Sequence, residues 1–197
     1  LINAAENGDL AGVQRAIENG ADVNVQGNFW STALMEASEK GHVEIVELLL
    51  AHGAYAFAHN KYGTTALMSA SEKGHTEIVR LLLAHGAKLW VNDEDKYART
   101  ALILASEKGH TEIVRLLLAH GADVNVKNKS GITALMSASV RNKSEIVKLL
   151  LDHGANPNLQ DNEGYTALMK ASKNRHTESV RFLLAHGAHI NAQDRHG

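Results

Sequence analysis

The sequence predicts an all-α fold, a solenoid of stacked helix pairs from which β-turn connectors protrude, and three observations carry that expectation. One stretch is used twice without change: Ser71 to Ala87 and Ser106 to Ala122 both read SEKGHTEIVRLLLAHGA, with looser copies starting at Ser38, Ser139 and Ser172. A short signal precedes each copy, at Thr32, Thr65, Thr100, Thr133 and Thr166, always Thr-Ala-Leu followed by Met or Ile. The steps between those threonines are 33, 35, 33 and 33 residues, a period that belongs to stacked supersecondary units.

Each element follows from local chemistry. Residues 1–31 lack the Thr-Ala-Leu signal but keep a helical pattern, and read as an N-terminal capping unit with the first connector. Gly12 and Arg15 there replace Ile45 and Leu48 of the next unit, as expected of a face with no neighbour. Five repeats follow, over 32–64, 65–99, 100–132, 133–165 and 166–197, all forming one repeat domain. In the second, Thr65 is an N-cap, Ala66, Leu67, Met68 and Ala70 recur at helical spacing, and Gly74 stops the run. A second helix opens at His75-Thr76-Glu77 and ends at His85-Gly86. Helices of about ten residues are marginal alone, so stacking must stabilise them. The connector from Ala54 to Thr65 reads as an extended arm with a turn at Asn60 to Gly63. At the far end Ser179 replaces an Ile, which reads as another polar substitution on an end unit.

Turn, Thr-Ala-Leu helix, Gly-His, Glu-Ile-Val helix and His-Gly-Ala together resemble the ankyrin repeat over the whole chain. Two letters depart from that family's T-P-L-H-x-A signature. Pro is Ala at 33, 66, 101, 134 and 167, and His is Met or Ile at 35, 68, 103, 136 and 169. The first change gives up a fixed φ at the helix start, and the second removes a side chain that in the family helps tie adjacent turns together. The resemblance implies a non-enzymatic module that binds a protein through a concave surface.

Shared positions specify a repeat fold, so functional information lies where repeats differ. Counted forward from each Gly-Ala, the third connector position is Asn24, Phe57, Trp90, Asn125, Asn158 and Asn191. Two neighbouring units thus exchange a turn-forming Asn for a large ring. The position before the turn glycine is Phe29, Tyr62 and Tyr97, then Ser130 and Glu163, and Tyr55 adds another ring. Seven of nine aromatics therefore fall in the first three connectors. Their units should stack roughly 10 Å apart, giving two rows on one side. The turn glycine itself becomes Trp30 and Ala98 in two of these connectors, and two extra residues read as lying within Asn92 to Arg99. Leu104 occupies a helix position that is Glu36, Ser69, Ser137 and Lys170 elsewhere, and reads as an extension of the patch. The candidate partner-binding surface is thus Phe29, Trp30, Tyr55, Phe57, His59, Lys61, Tyr62, Leu89, Trp90, Asp93, Glu94, Asp95, Tyr97, Arg99 and Leu104. The competing reading buries these rings under the arms as core.

Composition narrows the alternatives. A formal charge of −2 supplies no basic field for nucleic acid, and no apolar run approaches the roughly 18 residues of a membrane span. The absence of cysteine excludes thiol chemistry and fits a reducing compartment or an engineered chain. No signal-peptide pattern opens the sequence at Leu1, and a natural chain is expected in the cytoplasm. Twelve histidines invite a metal hypothesis. Most recur once per unit, and ligands about 10 Å apart cannot close a zinc shell with bonds near 2 Å. No phosphate loop, HExxH or GxSxG occurs, so neither catalysis nor a cofactor is expected. The expectation is a protein-binding module, monomeric by itself. The 17-residue identity between two units suggests an engineered or recently duplicated array. The sequence resembles designed ankyrin repeat proteins too, although TALM is not their usual consensus. The alternatives are a regulatory ankyrin domain of a larger natural protein, and a planar small-molecule site between connector rings.

Overall fold

The structure, a computed structural model, describes residues 1–195; residues 196 and 197, at the expected end of the last repeat, lie outside them. The chain forms two compact units that meet in sequence between Lys96 and Tyr97. All regular structure among the described residues is helical.

The first unit holds α1 (Ile2–Glu6), α2 (Leu10–Glu18), α3 (Ala33–Lys40), α4 (Val43–Ala51), α5 (Ala66–Lys73) and α6 (Thr76–Ala84). Two 3-10 turns lie in its arms, at Asn28–Trp30 and Ala87–Trp90. Helices α1, α3 and α5 pack in one layer and α2, α4 and α6 in a second. The second unit repeats the plan with α7 (Ala101–Lys108), α8 (Thr111–Ala119), α9 (Ala134–Val140), α10 (Ser144–Asp152), α11 (Ala167–Lys173) and α12 (Thr177–Ala185). There α7, α9 and α11 form one layer, and α8, α10 and α12 the other.

The threonine signal works as a cap in every repeat. Thr65 Oγ1 accepts from Met68 N at 3.2 Å, and Thr32, Thr100, Thr133 and Thr166 do the same at 3.3 Å. Each cap contributes about 1 kcal/mol. Gly41 ends α3 with φ 87°, and its missing Cβ is used a second time. A Cβ there would stand 2.6 Å from His75 Cε1. The imidazole lies over the glycine and donates from Nε2 to the Glu39 carbonyl at 3.0 Å; His42 reaches Glu6 in the same way at 3.1 Å. These histidines tie one repeat to the next, a role for which the sequence offered only the start of a helix. The other histidine row closes the second helices. His52, His85, His120, His153 and His186 each donate from Nδ1 to the carbonyl four residues back at 2.8 Å.

Three positions differ from expectation. Ser179 is fully buried, as are its column mates Ile45, Ile78, Ile113 and Ile146, so it is not a polar substitution on an open face. The open face of the last repeat instead carries Leu184 and Ile190, the latter 75% exposed where Val124 is 9%. Leu104 is only 2% exposed, because its column is the floor beneath the arms, where Ser137 too is buried. It is a core residue and does not extend a surface. Asp95 is also buried, for reasons of register given below.

The residues that replace turn glycines keep the glycine's backbone. Trp30 and Ala98 hold φ of 62° and 57°, and Phe29 beside Trp30 holds 58°, a region that costs a non-glycine residue about 1–2 kcal/mol. In Ala98→Gly, glycine's added freedom in the unfolded chain offsets part of that gain. The melting temperature is expected to rise by about 1–3 °C in Ala98→Gly, as calorimetry would read it. An unchanged or lower value would show that the turn accepts alanine without strain.

Candidate functional site

Each arm begins at the C-terminus of a second helix, runs out to a turn and returns to the threonine cap of the next first helix. In three of the arms the turn is built by an Asn or Asp side chain. Asn60 Oδ1 accepts from Tyr62 N and Thr64 N at 2.8 and 3.0 Å, Asn128 does the same for Ser130 and Ile132, and Asp161 for Glu163 and Tyr165. Neighbouring turns are then linked through backbone. Lys61 N donates to Phe29 O and Lys96 N to Tyr62 O, both at 2.8 Å, and Lys129 N to Tyr97 O at 2.9 Å.

Those links fix the register of the third arm, and it differs from the one counted forward from Gly-Ala. Lys96 stands in the column of Lys61 and Lys129, so Asp95 matches Asn60 and Asn128, the turn-building residue. Val91 then matches Ala56 and Val124, and all three are buried under their arms. The two extra residues lie upstream, in the 3-10 turn Ala87–Trp90, and not within Asn92 to Arg99. Asn92, not Trp90, therefore occupies the column of Asn24, Asn125 and Asn158. Trp90 stands with Tyr55 in the column of Asp22, Asp123 and Asn156.

The asparagine column has a defined task. Asn24 Nδ2 donates to Gly53 O at 3.1 Å while its Oδ1 accepts from Tyr55 N at 2.8 Å, bridging to the next repeat. Asn125 and Asn158 repeat the bridge 29 and 31 residues on. Phe57 cannot make it. The carbonyl 29 residues beyond Phe57 is Gly86 O, and it accepts from Leu89 N at 3.1 Å instead, inside the 3-10 turn. The exchange of Asn for Phe57 and the two-residue insertion are therefore one feature. The ring removes a bridge, the extra residues supply a new partner for the freed carbonyl, and the turn they form carries Trp90 against Phe57 at 5.6 Å between centroids.

Five of the six rings of the first unit fall into two sets. Tyr55, Phe57 and Trp90 follow the ends of α4 and α6, with Tyr55 stacked on Phe57 at 5.2 Å. Phe29 and Tyr62 stand at the turns, 6.2 Å apart. Lys61 Nζ lies 3.5 Å from the Phe29 centroid and 4.8 Å from that of Tyr62, and Lys96 Nζ lies 4.1 Å from Tyr62. Cations at these distances are attracted to the ring faces by about 0.5–1 kcal/mol each at exposed sites. His59 Nε2 meets Asp93 Oδ2 at 2.8 Å, joining the second and third arms. All these rings are exposed, from 38% at Tyr62 to 60% at Trp30, and Leu89 reaches 78%. The reading that buries them as core does not hold.

Twelve of the fifteen candidates lie in the first unit, and two of its polar members differ in access: Glu94 is exposed, whereas Asp95 is turned inward as a turn builder. Tyr97, Arg99 and Leu104 belong to the second unit. There Arg99 stands 5.2 Å from the exposed Tyr97 ring. Lys96 was missed from sequence, although its column mate Lys61 was named and the alignment of Tyr97 with Tyr62 already paired the two lysines.

The family model for ankyrin repeats (3 copies) matches residues 1–93, 60–128 and 102–194. The chain belongs to the ankyrin repeat family. Ankyrin repeats are generally protein-interaction modules, typically without enzymatic activity, and the all-helical architecture here agrees with that family. Among solved structures, an ankyrin repeat domain from Acinetobacter baumannii AYE is 35% identical, with a TM-score of 0.86. The match covers 94% of this chain and 96% of that one. No curated protein matches. No helix among the described residues is long and apolar enough to cross a membrane.

Proposed function

We propose that this ankyrin array is a binding module that recognises a protein partner through the arms of its first unit. The observation that carries the reading is the exposed set Phe29, Trp30, Tyr55, Phe57, Tyr62, Leu89 and Trp90 on an otherwise aliphatic frame. Trp and Tyr dominate interface hot spots, and exposed apolar groups of this extent mark interaction surfaces. Two rows with different chemistry stand on the arms. Tyr55, Phe57, Leu89 and Trp90 offer an apolar anchor site, whereas the lysine-covered rings Phe29 and Tyr62 offer positive charge at the rim. A repeat frame held constant while one set of positions varies is what diversification of a binder leaves, whether by design or by duplication. A free-standing binder and a regulatory domain would use the same surface.

A planar ligand between Phe57 and Trp90 is the poorer reading. A sandwiched ring needs about 3.5–4 Å on each side, and these two rings already touch at 5.6 Å between centroids.

The test is affinity capture with paired variants, followed by mass spectrometry and titration of the captured partner. Replacing Tyr62 by Ala is expected to weaken binding markedly, whereas replacing Lys129, Ser130 and Glu163 together should change it by less than about 1 kcal/mol. The opposite result would put the interface on the later arms.

A further inference from the structure

We infer that the outer face of the last repeat is a docking surface for one further ankyrin repeat, stacked in the same direction as the repeats before it. The face consists of columns that are covered in earlier repeats and open in this one. Leu50, Leu83 and Leu151 are buried, whereas Leu184 in the same column is 44% exposed. Ala56, Val91, Val124 and Pro157 are buried under their arms, and Ile190 is open. Ser38, Ser71, Ser106 and Ser139 are fully buried in the first helices, and Ser172 is exposed. Met169 and Val180 are half-buried, although Met136 and Val147 before them are buried. In the preceding repeat these columns lie on α9 and α10, which α11 and α12 cover. Here Leu168, Met169, Ser172, Val180, Leu184 and Ile190 instead surround a cavity of about 360 Å³.

A polar group on the same face makes the occupant specific. Asn191 stands in the bridging column of Asn24, Asn125 and Asn158. Asn125 and Asn158 each donate to a glycine carbonyl of the next repeat and accept from an N–H two residues beyond it. The exposed Asn191 is placed to take the same two groups from the arm of a following repeat. A terminal repeat of a solenoid carries a polar outer face, whereas this one carries the apolar face and the bridging Asn of an internal repeat. A second copy of the chain fits it poorly in either orientation. Stacked head to tail, the copy presents its N-terminal unit, where Gly12 and Arg15 take the places of Ile45 and Leu48. Set tail to tail, two such faces bury Leu184 and Ile190 but leave Asn191 without its carbonyl, because Gly187 O already accepts from Asn158. The surface shares no residue with that proposed for the first unit and does not depend on it.

The experiment compares the chain as it stands with a chain extended after Gly197 by a copy of residues 132–164, which continues the 33-residue register. Amide exchange in α11 and α12 is expected to slow about tenfold or more in the extended chain. Asn191→Ala should leave the melting temperature of the chain as it stands unchanged. In the extended chain it should lower that temperature by about 2–4 °C, as Asn158→Ala does in both. Should the copy itself fail to order, an extension by residues 99–131 carries the same test. Failure of both extensions to slow exchange would overturn the inference, as would an equal effect of Asn191→Ala in the two chains. Sedimentation of the chain as it stands should show a monomer at every concentration. A dimer that Ile190→Lys disperses would also overturn the inference and make a second copy the occupant.

Discussion

Trp90→Ala is expected to weaken binding of the protein partner by about 2–4 kcal/mol, or roughly 30- to 1000-fold in Kd. The ring is half exposed and packs against Phe57 at 5.6 Å between centroids. Such an aromatic pair contributes about 0.5–1.5 kcal/mol to folding, so the melting temperature should fall only slightly. Trp90→Asn should behave like Trp90→Ala. The bridging column is already filled by Asn92, so an Asn at 90 restores nothing. Titration and calorimetry on both variants separate the possibilities. Unchanged affinity with a large loss of melting temperature would show that the ring serves the fold and would remove Trp90 from the interface.

Lys170→Met is expected to destabilise the chain by about 2–3 kcal/mol. Breaking a buried ion pair costs about 3–5 kcal/mol, and this one is reduced because Lys170 retains some access to solvent. The variant leaves the Asp161 carboxylate, 6% exposed, with only the N–H groups of Glu163 and Tyr165. Asp161→Asn should cost less than about 1 kcal/mol, because Asn60 and Asn128 build the same turn without a charge. The double variant Asp161→Asn with Lys170→Ser should return near the wild type, since Ser69 and Ser137 occupy that column in other repeats. Denaturant unfolding of the set decides it. A Lys170→Met variant as stable as the wild type would mean that the pair adds nothing.

The same pair sets an acid limb of stability. Burial alone pushes Asp161 up, but the hydrogen bond from Lys170, the turn N–H groups and the Lys170 charge outweigh it and hold the carboxyl below its usual range. A depressed folded value means that the stabilisation is present above the unfolded value near 3.9 and is lost as pH falls through the folded one. Asp161→Asn should flatten that part of the stability–pH curve, and an unaltered slope would reject the assignment.

Most of the frame was legible because it is local. Thr65 caps its own helix, Gly41 ends its own helix, and the apolar spacing within each helix is fixed by a 3.6-residue turn. A 33-residue period repeats those local rules, so helix pairs, caps and the concentration of rings in the first three arms could be read from letters alone, though the column of Trp90 could not. The places that were not legible depend on what another repeat contributes. Leu104 and Ser179 look like surface substitutions in their columns, yet neighbouring elements cover both. His75 looks like a helix start, yet its bond goes to a carbonyl 36 residues earlier.

The sequence by itself determined the repeat architecture, the family and the concentration of aromatics in three arms. Only the tertiary structure decided the register of the third arm, and with it that Phe57, the insertion and Trp90 form one device while Asp95 faces inward. Counting from Gly-Ala gave one register. The backbone bonds from turn to turn, Lys61 to Phe29 and Lys96 to Tyr62, gave another. The physical reason is that a buried Val91 and bonded turns anchor the outer end of the arm. Its extra length can then collect only at the inner end, where loss of the asparagine bridge leaves a carbonyl to be satisfied.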